Sequence, residues 1–332
     1  MRGSKTKQLG ALVIGAGKIG AFLDDPKRKE VLTHAHGYAV HPKFNLVGFV
    51  DTRYARAQRA AKVWGGNAYR MLEDAFAGGH VDVISLCTPE DDHYRTLQQL
   101  KRFRFRGGIL EKALTDKLST AQKIARDPFF ARKPFPVNYM RRYVPEFREL
   151  RGRIERGSYG PFVTGSMHYG KGILRNGSHL IDLLRFFGFE VSGVRTISKL
   201  NDFYKEDASY GCALSVRGGG YVDMHVVPGK LYRLIEMDLI FERGRVRVLE
   251  SGFVIEEYGV AADKVFPGYR VLERRRTQGT SFAAYMRYVV DDLYRSIVEK
   301  STPLCSVVDA YEAQKLCHAI ARARIGAQVR VR

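Results

Sequence analysis

The stretch VIGAGKIG, Val13 to Gly20, decides the fold. It follows an apolar run, LGALVI over residues 9–14, that reads as a short buried strand. Gly15 lets the chain turn tightly off that strand. Gly17 carries no side chain, so a pyrophosphate group can approach the backbone. Gly20 allows the following helix to pack closely on the sheet. Lys18 and Ile19 complete the loop, and the N–H groups of the first helical turn offer partial positive charge to phosphates. The glycine spacing alone carries little weight; a strand before it and a helix after it are the setting that gives it meaning.

Working outward, residues 46–50 (LVGFV) form a second apolar run ending in Asp51, where a carboxylate accepts hydrogen bonds from adenine-ribose hydroxyls. The gap from the glycines is longer than usual, and residues 24–33 (DDPKRKEVLT) read as an inserted loop that accounts for it. Asp51 favours NAD, because it would repel a 2′-phosphate; Arg53, close by, keeps NADP open. A helical pattern follows to about Gly65 and Gly66. A third apolar strand, residues 81–86, ends in Cys87, Thr88 and Pro89; cofactors lie across such strand ends, so these three, with His93 nearby and Glu111 after the next strand, are candidate cofactor contacts. Residues 107–110 lead a further strand into Glu111 and Lys112. Strands alternating with helices predict an α/β, doubly wound parallel sheet, with residues 1–130 as the dinucleotide-binding domain.

The pattern changes after about residue 135. A helix is expected to about Arg156, a strand over VTGSMHYGKG, and an amphipathic helix over SHLIDLLRFFG ending at Gly188. Residues 191–258 read as successive strands, with hairpins at Gly218–Gly220 and at Arg243-Gly244, and two helices close the chain at about 280–299 and 306–325. Residues 131–332 are therefore expected to form an α+β domain on a largely antiparallel open sheet.

The 332 residues carry 55 Lys and Arg against 35 Asp and Glu, a net charge of +20. The basic residues are spread along the chain in short separate groups, without a zinc finger, helix-turn-helix or RNP motif. An anionic small molecule accounts for them better than nucleic acid. The four cysteines match no metal spacing, and the HxH of His34 and His36, with His41 nearby, has no third ligand in sight, so no metal is expected. No apolar run is long enough to span a membrane, and the start MRGSKTKQLG has no apolar stretch before Leu9, so a cytoplasmic protein is expected.

Taken in order, GAGKIG, strand-end Asp51, CTP at 87–89, EK at 111–112, NYMRR at 138–142, NGSHLIDLL at 176–184 and the terminal TPLCSVVDAYEAQKLCHAI at 302–320 resemble the glucose–fructose oxidoreductase, inositol dehydrogenase and MocA family. The resemblance implies hydride transfer between a sugar-type carbon and a nicotinamide, and a homodimer or homotetramer formed through the second-domain sheet. It puts the family lysine at Lys112, followed here by Ala113 instead of the usual Pro. It puts the general acid/base at His179, an imidazole that titrates near neutrality, with Asp182 on the same helix face. The first Asp of the family's D-x-G-x-H-x-x-D pattern falls on Arg175. Arg175, Lys171 and His168, with Asn138, Arg141, Arg142 and Asn176, suggest a pocket for a phosphate or carboxylate. The loop YGKGILRNGSH resembles the variant found with nucleotide-sugar and polysaccharide pathways. The expected function is a sugar dehydrogenase or reductase. A cofactor-binding regulator without catalysis, and a reductase of another anionic molecule, are the alternatives.

Overall fold

The computed structural model describes residues 8–331. The first seven residues, on which the leader reading rests, lie outside the described part. The chain divides into two units: the first runs to Tyr143 and takes back Ala283–Tyr311; the second comprises Val144–Phe282 and the residues from Glu312 onward. The sequence reading placed one boundary at 130/131; the contacts instead return a C-terminal stretch to the first unit.

The first unit is built on a five-stranded parallel sheet: β1 (Leu9–Ile14), β2 (Phe44–Val50), β3 (Asn67–Tyr69), β4 (Val83–Leu86) and β5 (Gly107–Leu110), in the order β3-β2-β1-β4-β5. The order reverses at β1, the doubly wound arrangement the sequence implied. All six residues of β1 are buried, as are all four of β4 and of β5, because helices cover both faces of such a sheet. The connecting helices are α1 (His34–Val40), α2 (Tyr54–Trp64), α3 (Leu72–Gly78), α4 (Glu90–Leu100), α5 (Leu118–Arg126) and the single turn α6 (Pro128–Ala131). β3 and α3 have no counterpart in the sequence reading: β3 is three residues long, with no buried residue, and shows no apolar run.

One expectation is revised. The glycine loop does not open a continuous helix. It is followed by one wide turn, Lys18–Phe22, in which the Leu23 N–H donates to the Lys18 carbonyl. The inserted residues then cross to α1, which begins at Thr33, whose hydroxyl accepts from the His36 N–H. Asp24 fixes this insertion by accepting from the Thr33 hydroxyl at 2.6 Å and pairing with His36 at 2.8 Å. His34 and His36 thus face different partners.

In the second unit α7 (Pro145–Glu155) leads into β6 (Phe162–Tyr169), a wide turn at Ile173–Gly177, and α8 (Ser178–Phe186). The strands β7 (Val191–Leu200), β8 (Ser209–Val216), β9 (Tyr221–Val226), β10 (Ile235–Phe241), β11 (Gly244–Leu249), β12 (Val254–Ala262), β13 (Arg270–Gly279) and β14 (Gln328–Arg330) complete a sheet in the order β13-β12-β11-β10-β6-β9-β8-β7-β14. Only β6 and β9 run parallel; the sheet is otherwise antiparallel, as expected. Both expected hairpins form, with Phe241 opposite Gly244 at one and positive φ at all three glycines of the other. β13 escaped the sequence reading because it is dominated by exposed arginines, and its two apolar residues, Val271 and Leu272, are adjacent and so give no alternating apolar face. In β10, Ile235, Met237, Leu239 and Phe241 are buried while Glu236, Asp238 and Ile240 are half-buried, the mark of a sheet covered on one side. Arg153 of α7 grips Glu257 of β12 through two hydrogen bonds of 2.9 Å each, and Tyr159 donates to the same carboxylate. On the half-buried side Arg247 and Arg274 converge on Glu256.

The closing helices are α9 (Tyr285–Glu299), which packs on α1 and β5 within the first unit, and α10 (Val307–Arg322), which begins there and ends in the second. Gly37 makes the α1–α9 approach feasible: a Cβ there would lie 2.6 Å from the Met286 side chain and 2.9 Å from that of Val290. Among the described residues no helix is long and apolar enough to cross a membrane.

The central position of β1 makes a stability prediction. Leu12, fully buried, should cost about 2–5 kcal/mol when changed to Ala. Urea unfolding followed through Trp64, the sole tryptophan and a member of this unit, should show the loss as a lower midpoint. A loss below about 1 kcal/mol would place Leu12 outside a packed core.

Candidate functional site

The carboxyl ends of β1, β2, β4 and β5 gather most of the residues singled out for a cofactor. Gly15 has φ +95°, and a Cβ there would lie 2.7–2.8 Å from the backbone of Cys87 and Thr88, so the turn off β1 has no room for a side chain. A Cβ on Gly20 would strike the Gly15 carbonyl oxygen. Gly17 is different: nothing lies within 4 Å of where its Cβ would be. Gly15 and Gly20 are therefore required by the protein's own packing, whereas Gly17 leaves open space over the loop.

Asp51 ties two loops together. One carboxylate oxygen accepts from the Ala16 N–H at 3.0 Å and the other from the Arg53 N–H at 2.8 Å. Each oxygen retains a lone pair, enough for the two hydroxyls of a ribose. The exposed Arg53 is the first residue before α2, and Lys18 is exposed on the glycine loop. At the end of β4, the Cys87 N–H is taken by the Ile14 carbonyl at 2.7 Å, and burial pushes the Cys87 thiol well above its ordinary range. The Thr88 hydroxyl oxygen is buried and has no hydrogen-bond partner in the protein; a buried hydroxyl is normally satisfied. Pro89 directly precedes α4. His93 departs from its expected role. It is 1% exposed, and its ring nitrogens face the Thr88 carbonyl at 2.8 Å and the Leu114 carbonyl at 3.2 Å. The ring braces the strand-end corner and offers no free edge to a ligand.

Glu111 and Lys112 follow β5. The Glu111 carboxylate accepts from the Asn138 amide at 2.6 Å and pairs with His34 Nε2 at 2.9 Å; the other His34 nitrogen meets Ser85 Oγ at 2.9 Å, and the Tyr38 hydroxyl reaches the same oxygen at 2.9 Å. Burial alone would raise the Glu111 pKa, but the His34 and Asn138 hydrogen bonds and the charge of Lys112 hold it below the usual glutamate value. The chain beneath Lys112 is thus fixed by a buried polar network. The Lys112–Ala113 peptide is cis. Two expected anion contacts are used by the protein itself. Asn138 is fully buried on Glu111. Arg142, 4% exposed, holds the Leu304 carbonyl at 3.0 Å and Asp309 at 3.2 Å. Arg141 is likewise buried.

In the second unit the segment from β6 to α8 collects the other residues. His179 and Asp182 lie in α8, three residues apart and both buried, at 6% and 2% exposure. Asn176 lies half-buried in the turn before them. The turn is held by a residue the sequence reading missed. Asp207, 5% exposed, accepts the Leu174 N–H at 3.1 Å and the Arg175 N–H at 2.9 Å. A carboxylate therefore stands against the backbone at the position where the sequence pattern lost its Asp to Arg175. No local signal announces it, since Asp207 comes from the loop before β8. The Arg175 guanidinium lies 4.3 Å from the Tyr204 ring centre, and the Lys171 ammonium 4.4 Å from that of Phe203. His168 stacks on His225 with ring centres 5.0 Å apart; burial, and then the His225 charge, keep its pKa below the ordinary value.

This donor set fits a dinucleotide. Gly17 leaves approach to the backbone, Asp51 has lone pairs for ribose, and Thr88 holds an unpartnered hydroxyl at a strand end, where such ligands bind. Comparison with known proteins agrees. Residues 9–127 match the model of an oxidoreductase family with an NAD-binding Rossmann fold. An inositol 2-dehydrogenase of Paenarthrobacter aurescens is 27% identical over 290 residues, 80% of this chain and 81% of that one. Among solved structures, the WlbA dehydrogenase of Bordetella pertussis, in complex with NADH and UDP-GlcNAcA, superposes with a TM-score of 0.79 at 17% identity, covering 99% of each chain. A super-repressor mutant of Gal80p from Saccharomyces cerevisiae superposes with a TM-score of 0.74 at 12% identity, covering 97% of each chain. At these identities the structural likenesses show the fold.

Two outcomes are expected. Gly17→Val should fold with an unchanged thermal midpoint yet weaken NADH binding about 100-fold or more, read by fluorescence titration; undiminished binding would show that the loop does not receive the pyrophosphate. The second concerns pH. Because the Glu111 pKa is depressed in the fold, its stabilisation is present above the ordinary glutamate range and is lost as pH falls through and below it. Glu111→Gln should therefore melt below the wild type at pH 7, with the gap closing on acidification. A gap of constant size would disprove the charged state.

Proposed function

With residues 9–127 belonging to the glucose–fructose oxidoreductase, inositol dehydrogenase and MocA family of NAD-binding oxidoreductases, we propose that the protein is an NAD-dependent dehydrogenase of a sugar-type hydroxyl. A nucleotide sugar or another anionic sugar derivative is the substrate class. The observation that carries the reading is the strand-end cradle of open Gly17, Asp51 and the unpartnered Thr88 hydroxyl. Asp51 accounts for NAD over NADP, with Arg53 alone on the other side.

When bound, NAD supplies the hydride acceptor or donor. In the oxidising direction the carbinol carbon gives up a hydride and its hydroxyl a proton, leaving a carbonyl. His179 takes that proton. Lys112, on a corner stiffened by the Glu111 network, hydrogen-bonds the reacting oxygen. Asp182 orients His179. Lys171, Arg175 and Asn176 contact the anionic part of the substrate; Lys171 and Arg175 stacked on aromatic rings supply positive charge without a long search for geometry. His168, expected with them, alternates onto the half-buried sheet face beside His225 and is not a substrate contact. The sugar class is supported by the inositol dehydrogenase relative, and the nucleotide-sugar class by the ligand named with the Bordetella neighbour. We place the protein in the cytoplasm as a homodimer or homotetramer, with the half-buried face of the nine-stranded sheet as the surface that associates.

A second reading is favoured by one observation of the sequence: Arg175 replaces the pattern's Asp. In that reading the chain binds cofactor and signals without turnover.

The separating experiment is turnover of a panel of inositols, sugar acids and UDP-sugars with NAD and with NADP. The enzyme reading expects NAD-linked turnover of at least one, and a drop in kcat of about 10²–10⁴-fold in His179→Ala with NADH affinity retained. Tight NADH binding with no turnover across the panel would favour the regulator. A His179→Ala variant of full activity would remove the imidazole from the mechanism.

A further inference from the structure

The opposite end of β5 carries a feature that the dinucleotide site does not use. Arg106 immediately precedes β5, at its amino end, whereas Glu111 and Lys112 follow its carboxyl end. Four strand residues separate the two ends by on the order of 13 Å. Beside Arg106, within the first unit, lies a cleft of about 550 Å³, inside the range of small-molecule sites.

Its lining has one sign of charge. Arg106, Arg132, Lys133 and Lys300 all border it, and among the described residues no aspartate or glutamate does. Among the described residues none of the four makes a salt bridge. Elsewhere some arginines do pair, as Arg247 and Arg274 do on Glu256. Lys133 lies over the rings of Phe105 and Phe129, 4.4 and 4.3 Å from their centres, which holds its ammonium in place. The hydroxyl-bearing residues Ser301, Thr302 and Ser306 lie on the same wall, where the loop from α9 enters the 16-residue helix α10. Ser306 caps that helix by exchanging hydrogen bonds with Asp309, and Val307 and Val308 also border the cleft. The apolar surface open to a ligand is that of Ile297, Pro303 and Val308, with Phe130 and Phe135 packed beneath.

We propose that this cleft is a second ligand site, separate from the dinucleotide site, for a phosphate monoester with an apolar or aromatic carbon part. Four cations bordering one cleft select a compact dianion. The apolar wall selects against inorganic phosphate alone, because the ion has nothing to bury there. Like charges held together without partners repel one another, and a bound anion relieves that repulsion.

The probe is phenyl phosphate, titrated calorimetrically into the full-length protein saturated with NADH, with phenol and inorganic phosphate as comparisons. Saturable binding of phenyl phosphate is expected, weakening as sodium chloride is raised, with phenol inert and inorganic phosphate at least about tenfold weaker. The double variant Arg132→Ser, Lys300→Asn should weaken phenyl phosphate about tenfold or more while leaving NADH affinity unchanged. Both side chains are exposed, and Asn tolerates the positive φ of +54° at position 300, so the fold is preserved. Absence of saturable binding, or equal binding by wild type and variant, overturns the proposal. So does binding of phenyl phosphate only when NADH is omitted, since that would assign it to the dinucleotide site. NADH affinity is measured in the same samples, so failure here leaves the dehydrogenase reading independently judged.

Discussion

The close approach of the Gly15 backbone to Cys87 and Thr88 is the contact on which the first unit turns. A Cβ there would sit at 2.7–2.8 Å from main-chain atoms that cannot move without breaking the β1–β4 pairing. Because the chain can bend at that point, the loop after β1 comes within reach of Asp51 at the end of β2, and the Ala16 N–H is captured at 3.0 Å. Three strand ends are thereby brought to one place by one absent side chain. The same bend frees Gly17 from any neighbour. A tight turn and an open approach are thus two results of one sequence motif.

Buried polarity is spent where position matters. Tyr38, Ser85, His34, Glu111 and Asn138 form a continuous chain of hydrogen bonds through the interior of the first unit. Such a network is costly if any member is unmatched and rigid when matched. It reaches the residue next to Lys112, so a flexible side chain with its charge begins from a stiff base. In the second unit Asp207 performs a similar task, holding consecutive N–H groups in the turn that leads to His179.

The net charge of +20 is not spread as a uniform field. In the second unit several arginines are paired in ladders across the sheet, with Glu256, Glu257 and Asp238 each engaging arginine. The cleft at the amino end of β5 is where cations collect unopposed. Four of the cations thus share one cleft, which composition alone could not have provided.

Local sequence determined what local physics controls. The glycine spacing, the strand-end Asp51, the buried strands and the two glycine-marked hairpins were legible because each depends on a residue's own conformational limits or on a short period of apolar side chains. The interruption of the first helix was legible only as an inserted loop. What the tertiary structure decided were partnerships between distant residues. Asn138 and Arg142 read as anion contacts because they are polar and basic in a suggestive motif. In the fold they are buried against Glu111, 27 residues away, and Leu304, 162 residues away. His93 likewise became a brace once its ring was enclosed by two carbonyls. Asp207 meets Arg175 across 32 residues and left no mark in the pattern. A side chain's chemistry is written in the sequence, but whether its hydrogen bonds are free for a ligand depends on what the fold has already placed against it.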